Sequence, residues 1–291
     1  MSVVLITGCS SGFGLHAAVA FARAGDTVYA SMRDTGKGAA LRAAVPVGCD
    51  VRVVPLDVTV STSHAPLIER IVRESGRLDV LVNNAGMIRP GAFEDLDEST
   101  FRGIMETNFF GPFALIRAVL PQMRRQHGGT IIMISSLSGI AGLPADVAYT
   151  ASKFAVEGAT EALRHEIDRW KIRVALVEAG LYATGIFAPS VEPRSTLPRS
   201  YPADSPYRAL VEYKWRELQA RLPQAMDPAK LGELLVDIAR SDGGQLRWPA
   251  DDVARRVLAT MFAQDDGARD GFLRSVSGTD WWSAGDAPPG G

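Results

Sequence analysis

Short β-branched runs alternate along the chain with longer stretches of helical spacing, and this alternation limits the folds that the chain can adopt. The apolar runs lie at 3–7, 27–30, 51–55, 78–83, 130–135 and 173–178. They show little polar alternation, which is typical of parallel strands buried on both faces. Helical spacing separates them, at 14–24, 35–44, 61–75, 99–127 and 149–171. The pattern predicts an α/β fold: a doubly wound parallel β-sheet of the Rossmann type, with helices on both faces.

The size and composition fit one domain of this kind. The 291 residues are 46% apolar and 22% charged, which is typical of a globular chain. A net charge of −2 provides no basic field for nucleic acid. Two cysteines do not make a disulfide framework, and the first strand leaves no room for a signal peptide. No apolar run approaches the roughly 18 residues of a membrane span, so we expect a cytoplasmic protein.

The region after the sixth strand differs in character and is predicted to form a substrate lid. Residues 187–228 hold many prolines around one amphipathic stretch at 207–222. An excursion beyond the carboxyl end of a late strand is where a lid belongs, although a surface insertion without ligand contact is the alternative. A last strand and helix at 245–249 and 251–262 would bring the sheet to about seven strands. The single domain is predicted to span 1–264, with a partly mobile tail at 265–291.

A glycine-rich loop directly follows the first strand. Glycines there permit a tight turn, close approach of the backbone to a pyrophosphate and close helix–strand packing. The helix that follows offers free N–H groups to phosphate. Alone, the glycines would indicate only a turn, but their place after the first strand predicts a dinucleotide site. The residues predicted to bind there are Gly8, Ser10, Ser11, Gly12, Phe13 and Gly14.

The end of the second strand favours NADP(H) over NAD(H). The acidic residue that would hold the adenosine ribose is missing, and Arg33 follows the strand instead. Its guanidinium can pair with a 2′-phosphate, and Ser11 could add a hydroxyl. The alternative is that Arg33 only pairs with the neighbouring Asp34. After the third strand, Asp57 and Val58 are predicted to bracket the adenine.

Three polar side chains predict hydride transfer to and from a carbonyl. Tyr149 and Lys153 are four residues apart, on one face of a helix, and Ser136 follows the fifth strand. Free tyrosine has a pKa of about 10, which a nearby ammonium lowers. We therefore expect Lys153 to bring the phenol into the working range for acid–base catalysis and to bind the nicotinamide ribose. Ser136 would orient the substrate oxygen. Without the glycine loop, the Tyr149–Lys153 pair would indicate only a solvated surface pair.

These motifs together resemble the short-chain dehydrogenase/reductase family, over about residues 2–186. Further matches are Asn83-Asn84-Ala85-Gly86 after the fourth strand, Thr107-Asn108-Phe109, and Thr184 after the sixth strand. The resemblance implies a catalytic tetrad of Asn108, Ser136, Tyr149 and Lys153. In it, Asn108 would anchor a water that links Lys153 to solvent. The resemblance also implies that the adenosine side of the site is lined by Asn83, Ala85 and Gly86.

One departure from the family concerns the turn after the sixth strand. The family usually has Pro-Gly where this chain has Ala179-Gly180. Because proline stiffens a turn, its loss is expected to loosen the cofactor without removing a reacting group. The residues that remain available to the nicotinamide are Gly180, Tyr182 and Thr184.

The loop 7–12 and the segment 32–34 are most similar to the branch of the family that contains 17β-hydroxysteroid and retinol dehydrogenases. This resemblance implies a bulky, apolar, steroid- or retinoid-like alcohol or ketone. The family also commonly pairs its long helices between subunits, which implies a homodimer or homotetramer through 99–127 and 149–171.

The predicted function is that of an NADP(H)-dependent oxidoreductase that interconverts an alcohol and a ketone or aldehyde, with a small-molecule partner and no metal. No His, Cys and Asp residues have metal-ligand spacing. One alternative is a regulator that senses NADP(H) without chemistry, which should have lost Tyr149 or Lys153. Another is an NAD-preferring enzyme that acts on a small hydroxy compound. Epimerisation or dehydration of a nucleotide sugar would need a larger carboxyl-terminal domain.

Overall fold

The computed structural model describes residues 1–186, 201–263, 266–284 and 286–289. Its centre is a parallel sheet of seven strands in the order β3-β2-β1-β4-β5-β6-β7. The strands are β1 (Val3–Ile6), β2 (Thr27–Met32), β3 (Val51–Pro55), β4 (Val80–Asn83), β5 (Gly129–Ile134), β6 (Ile172–Glu178) and β7 (Arg247–Pro249). Strands β2 and β3 follow β1 on one side of the sheet, and strands β4 to β7 follow in order on the other side. This confirms the predicted doubly wound fold.

Helices cover both faces of the sheet. One face carries α1 (Gly12–Arg23), α2 (Ala39–Ala44) and α8 (Pro228–Arg240). The other carries α3 (His64–Ser75), α5 (Gly111–Gln126) and α6 (Val147–Ile167). Alternate strand residues enter the two cores, as Val4 and Ile6 of β1 enter one while Val3 and Leu5 enter the other. Because both faces are buried, the strands read as nearly continuous apolar runs.

Two helical regions differ from the sequence prediction. The predicted helix at 99–127 is divided into α4 (Glu98–Met105), a π-helical turn at Glu106–Phe110, and α5. Helix α8 was missed, although Leu231, Leu235 and Ile238 follow helical spacing and are fully buried. The helix was missed because the prolines around it, including Pro228, suggested a loop. In the structure Pro228 lies in the first turn of the helix, where proline is favourable.

The described parts of the predicted lid and tail contain helices. Residues 187–200 of the predicted lid lie outside the described residues, and the remainder contains α7 (Arg208–Arg221). Val211 and Trp215 of α7 pack on Ala92 and Ala145. After α9 (Asp252–Ala263), the predicted tail contains α10 (Asp266–Ser277) and α11 (Asp280–Ala284). The ring of Trp281 in α11 meets Tyr213 of α7 edge-on, with 5.3 Å between centroids, so the tail packs on the lid helix.

The contact between α1 and α8 depends on a buried glycine. A Cβ at Gly232 would lie 2.7 Å from the carbonyl oxygen of His16 in α1. We expect Gly232→Ala to push the helices apart and to lower the free energy of unfolding by about 1–3 kcal/mol. Gly103→Ala in α4, where a Cβ would meet nothing within 4 Å, should stabilise the protein by about 0.5–1 kcal/mol. Urea unfolding measures both changes, and equal effects would contradict the packing argument.

Candidate active site

The residues that the sequence marks as functional lie along one edge of the sheet. In a parallel sheet all carboxyl ends share one edge, and the predicted residues follow the ends of β1 to β6 in turn. They lie at 8–14, 33, 57–58, 83–86, 136 and 180–184. β1 and β4 are neighbours at the point where the strand order reverses. Sheets of this kind bind ligands in the crevice that opens there.

The loop after β1 has a conformation that requires glycine. Gly8 and Gly12 have φ values of +75° and +55°, which L side chains rarely adopt. A Cβ at Gly14 would lie 2.3 Å from the carbonyl oxygen of Gly8, so no side chain fits there. Ser10 is half-buried and Ser11 is exposed, and neither caps the first turn of α1. The loop therefore leaves a cradle of backbone N–H groups that fits a dinucleotide pyrophosphate.

A threonine hydroxyl fastens this loop to the end of β4. Thr7 Oγ1 accepts hydrogen bonds from the backbone N–H groups of Asn84 and Ala85, each at 2.9 Å. The side-chain amide of Asn84 donates to the Thr7 carbonyl oxygen at 2.7 Å. Asn83 instead directs its amide to Sδ of Met133, at 3.2 Å. Asn84, which the predicted site did not include, is thus the side chain that holds the loop.

Arg33 and Asp57 lie on the side of the edge where an adenosine would bind. Asp34 accepts from the Gly36 N–H at 2.9 Å, and among the described residues it forms no ion pair with the exposed Arg33. Burial opposes ionisation of Asp57, but hydrogen bonds from Thr59 and the charges of Arg33 and His64 outweigh it and lower the pKa of Asp57. Val58 is buried beside it. Arg33 is therefore positioned to meet an anionic group.

A buried aspartate steadies the turn after β6. The Gly180 N–H donates to Oδ2 of Asp251 at 2.9 Å, and Oδ1 of the same carboxylate accepts from Ala254 N–H at 2.8 Å. Asp251 thereby ties the turn to the start of α9. This contact comes from a residue that the sequence did not mark out.

The segment that follows this turn closes on the glycine loop. The rings of Tyr182 and Phe13 meet edge-on, with 5.0 Å between centroids. The Tyr182 hydroxyl donates to the Ala250 carbonyl oxygen at 3.0 Å. A Cβ at Gly12 would lie 3.3 Å from Cβ of Thr184. Four predicted cofactor residues, two from the loop after β1 and two from the segment after β6, therefore meet at this point.

Tyr149, Lys153 and Ser136 come together at the start of α6. Tyr149 is 8% exposed and Lys153 is 6% exposed. The ammonium nitrogen of Lys153 lies 5.6 Å from the centroid of the Tyr149 ring and donates to the Ile134 carbonyl oxygen at 2.7 Å. Ser136 is half-buried, its Oγ accepts from the Ser138 N–H at 3.2 Å, and it is close enough to lower the pKa of the Tyr149 phenol. The fold thus brings the three predicted reacting groups together.

Burial governs the pKa values of this pair. It raises the pKa of the Tyr149 phenol, which the Ser136 hydrogen bond partly offsets and the charge of Asp146 reinforces. It also lowers the pKa of Lys153 to about 8, against the opposing charge of Glu157. The expectation of a lowered phenol pKa is therefore wrong for this arrangement, because burial raises it. The phenol holds its proton at neutral pH.

Asn108 lies buried in the π-helical turn and is held by the protein itself. Its Oδ1 accepts from the Met87 N–H at 2.8 Å, and its Nδ2 donates to the Met87 carbonyl oxygen at 2.9 Å. Nδ2 also donates to Oγ of Ser152 at 3.0 Å, and that hydroxyl donates to the Tyr149 carbonyl oxygen. Asn108 therefore connects to α6 beside Tyr149. Gly86 lies next to it, since a Cβ there would be 3.4 Å from Oδ1.

Two further carboxyl groups beside the pair were not predicted. Burial raises the pKa of Asp146 to about 8, against a hydrogen bond from Ser138 and the charge of Lys214. Glu157 lies one turn after Lys153 and is also buried. Their spacing from Tyr149 and Lys153 is visible in the sequence, but their burial is not.

In the part of the chain that the structure describes, no group of acidic, His or Cys side chains could hold a metal, and no helix is long and apolar enough to cross a membrane.

Comparisons with known proteins agree with this geometry. Residues 2–195 match the model of the short chain dehydrogenase family. The chain is 44% identical over 183 residues to a 3-ketodihydrosphingosine reductase of Bacteroides thetaiotaomicron, covering 63% of this chain and 65% of that protein, just under two thirds. It is 36% identical over 255 residues to 17-beta-hydroxysteroid dehydrogenase type 1 of Mus musculus, covering 85% and 73%. It is 37% identical over 254 residues to retinol dehydrogenase 8 of Bos taurus, covering 84% and 80%.

Solved structures give the same result. A short-chain dehydrogenase from Streptomyces avermitilis superposes with a TM-score of 0.75, at 33% identity and over 98% of both chains. The predicted resemblance, including its branch with hydroxysteroid and retinol dehydrogenases, is confirmed. Since both its sequence and its fold match over most of their length, the chain belongs to the short-chain dehydrogenase family of oxidoreductases.

Proposed function

We propose that the protein is an NADP(H)-dependent oxidoreductase that interconverts an alcohol and a ketone or aldehyde, with Tyr149 as the general acid and base. The observation that carries this proposal is the buried contact of Tyr149 and Lys153, near Ser136, in a fold whose first loop only glycine can form. The names of the relatives support it, since they comprise one ketone reductase and two alcohol dehydrogenases. A regulator without chemistry would not need the buried reacting groups.

In the proposed reduction, Tyr149 donates its proton to the carbonyl oxygen. The phenol is protonated at neutral pH and so carries the proton for this step, and the charge of Lys153 would ease its release. The Ser136 hydroxyl orients the carbonyl, and the Lys153 ammonium stabilises the phenolate that remains. Bound NADPH would supply the hydride for the carbonyl carbon, so that an alcohol forms. Asn108 would link Lys153 to solvent through a water, as the family resemblance implies.

The cofactor proposal rests on the fit of the glycine cradle and on Arg33. The cradle at 8–14 accommodates a pyrophosphate, because the close approach at Gly14 leaves backbone N–H groups uncovered by side chains. Arg33, with Ser11, would hold a 2′-phosphate, and Asp57 with Val58 would border the adenine. We propose that the remaining contacts come from Asn83, Ala85, Gly86, Tyr149, Lys153, Gly180, Tyr182 and Thr184. An NAD-preferring enzyme that acts on a small hydroxy compound is the alternative.

The substrate that we propose is bulky and apolar, like the steroids and retinoids named for two relatives. The described part of the lid supports this, because Val211 and Trp215 form an apolar cluster with Ala145, close to Tyr149 in sequence.

We also propose one domain over 1–264 with its lid at 187–228, a tail after it, and a cytoplasmic location. Two unpaired cysteines are compatible with that location.

The reaction can be tested at the phenol. We expect Tyr149→Phe to lower kcat by about a thousandfold or more, because the proton donor is lost, while the Kd for NADPH changes by less than about threefold. Steady-state turnover of NADPH with steroid, retinoid and short-chain carbonyl compounds measures the first, and fluorescence titration the second. Tyr29→Phe serves as a control, because that buried tyrosine contacts Glu74 and Ser75 far from the site. Loss of NADPH binding in Tyr149→Phe would show that its assigned role is wrong.

The choice of cofactor can be tested at Arg33. Since a guanidinium–phosphate pair is worth about 1.5–3 kcal/mol, Arg33→Ala should raise the Kd for NADPH by about 10- to 100-fold and leave the Kd for NADH nearly unchanged. Arg73→Ala removes one exposed positive charge from α3 and should change neither value. Isothermal titration calorimetry with NADPH and with NADH measures both Kd values. Equal weakening of both would contradict a role in the choice between them.

We propose that the long helices pair two or four subunits. Phe154 of α6 is 42% exposed, and Phe110, directly before α5, is also exposed, so both rings are available for a contact between subunits. Phe154→Glu should therefore shift the protein toward a monomer, because the interface would bury an unpaired charge. Val253→Glu on α9 is the matched control. Light scattering after gel filtration measures the mass, and an unchanged oligomer in Phe154→Glu would refute this interface.

A further inference from the structure

Behind the catalytic lysine lies a buried ionic cluster that the proposed reaction does not use. Glu157, one turn after Lys153 in α6, is 4% exposed, and Glu178 at the end of β6 is fully buried. Arg247 of β7 joins them: its Nε donates to Oε2 of Glu157 at 3.2 Å and lies 3.9 Å from Oε1 of Glu178. Its Nη2 donates to Oε2 of Glu161 at 2.9 Å. The pairing of β6 with β7 fixes this arrangement.

Glu157 also packs against the turn that carries the catalytic serine. A Cβ at Gly139 in that turn would lie 2.7 Å from Oγ of Ser135 and 3.0 Å from Cγ of Glu157. The strand that leads into the turn ends at Ile134, whose carbonyl oxygen accepts from Lys153. Glu157 therefore lies beside the turn that follows Ser136 and one helical turn from Lys153.

The charges of the cluster leave Glu157 as the buried counter-charge of Lys153. Burial, and then the charge of Glu157, raise the pKa of Glu178 to about 8, so Glu178 keeps its proton at neutral pH. Burial also raises the pKa of Glu157, but Ser135, Arg247 and Lys153 oppose that shift. With Glu178 neutral, the acidic side chains that remain beside Lys153 and Arg247 are Glu157 and the more exposed Glu161.

We propose that Glu157 is a positioning residue of the reaction, whose carboxylate, held by Arg247, keeps the Lys153 ammonium charged and in place under Tyr149. This inference rests on the proposed function, because it assigns to Lys153 the task of stabilising the phenolate. The other charged or titratable groups that face Glu157 are Lys153 and Glu161 on its own helix, Glu178 on β6 and Arg247 on β7. Among the carboxylates, only Glu157 combines burial with a position one turn from Lys153.

The direct test is the titration of Lys153 without cofactor or substrate. The chain has five lysines, so their ¹³Cε signals can be resolved by NMR and assigned with Lys153→Arg. In the unchanged protein we expect Lys153 to titrate with a pKa of about 8. Glu157→Gln should lower this value by about one unit, because the counter-charge is lost while burial remains. Glu161→Gln, which removes a 54% exposed partner of the same arginine, should not change it.

The pH dependence of carbonyl reduction supplies a second readout. Reduction needs the charged Lys153, so kcat/KM should fall as the pH rises through the pKa of this group. In Glu157→Gln the fall should begin about one pH unit lower. Glu157→Asp keeps the charge but withdraws it by one methylene, so the midpoint of its fall should lie between those of the unchanged protein and Glu157→Gln. A merely structural role would reduce activity at every pH and leave the midpoint of the fall unchanged.

The outcomes separate this inference from the proposed function. An unchanged Lys153 titration in Glu157→Gln overturns the role of Glu157, and it leaves the function intact if Lys153→Met has lost turnover. Full turnover in Lys153→Met overturns the proposed function instead, whatever the NMR titration shows. If Glu157→Gln does not fold, the Lys153 titration is measured in Glu157→Asp. The aspartate side chain is one methylene shorter, so its charge lies farther from Lys153 and the Lys153 pKa should still fall. The absence of any shift in that variant also overturns the inference.

Discussion

The site depends on the pairing of β1 with β4, two strands that are distant in the chain but adjacent in the sheet. Their register sets Ile6 opposite Val82, so that Thr7 reaches the end of β4. There its buried hydroxyl accepts hydrogen bonds from the backbone N–H groups of Asn84 and Ala85. These bonds hold the glycine loop against the segment that follows β4. Because the sheet order reverses at these strands, the loop borders an open crevice and is not covered by a crossing connection.

Desolvation gives this crevice its chemical character. The same burial that raises the phenol pKa of Tyr149 lowers the ammonium pKa of Lys153, so both groups are driven toward their neutral forms. In the proposed reduction the neutral phenol carries the proton, but a neutral amine could not stabilise the phenolate that donation would create. The proposed reaction therefore needs a counter-charge for Lys153. Glu157, buried one turn away on the same helix, is the acidic side chain that we propose for this role.

Local spacing made the reacting groups predictable, since Tyr149 and Lys153 must share a helical face wherever that helix lies. The strand pattern likewise predicted which residues follow strand ends, and so which ones meet at one edge. Asp251 and Arg247 were not predictable in this way. They reach Gly180 and Glu157 across 71 and 90 residues of chain, and only the position of the last strand and helix brings them there. The direction of the phenol pKa was missed for a related reason, because it follows from burial by distant segments.

The described part of the segment that we propose as a lid is held by contacts that are separate from the proposed reacting groups. Asp95, in the loop after β4, accepts from the hydroxyls of Tyr201 and Ser205, each at 2.6 Å. On the other side, Trp281 packs on Tyr213 of the lid helix. None of these side chains contacts Tyr149 or Lys153 directly, so the lid can change its lining without altering the proton donor. This separation is a physical reason why the chemistry of such a chain can be inferred from motifs, whereas its substrate depends on the surfaces that the lid presents.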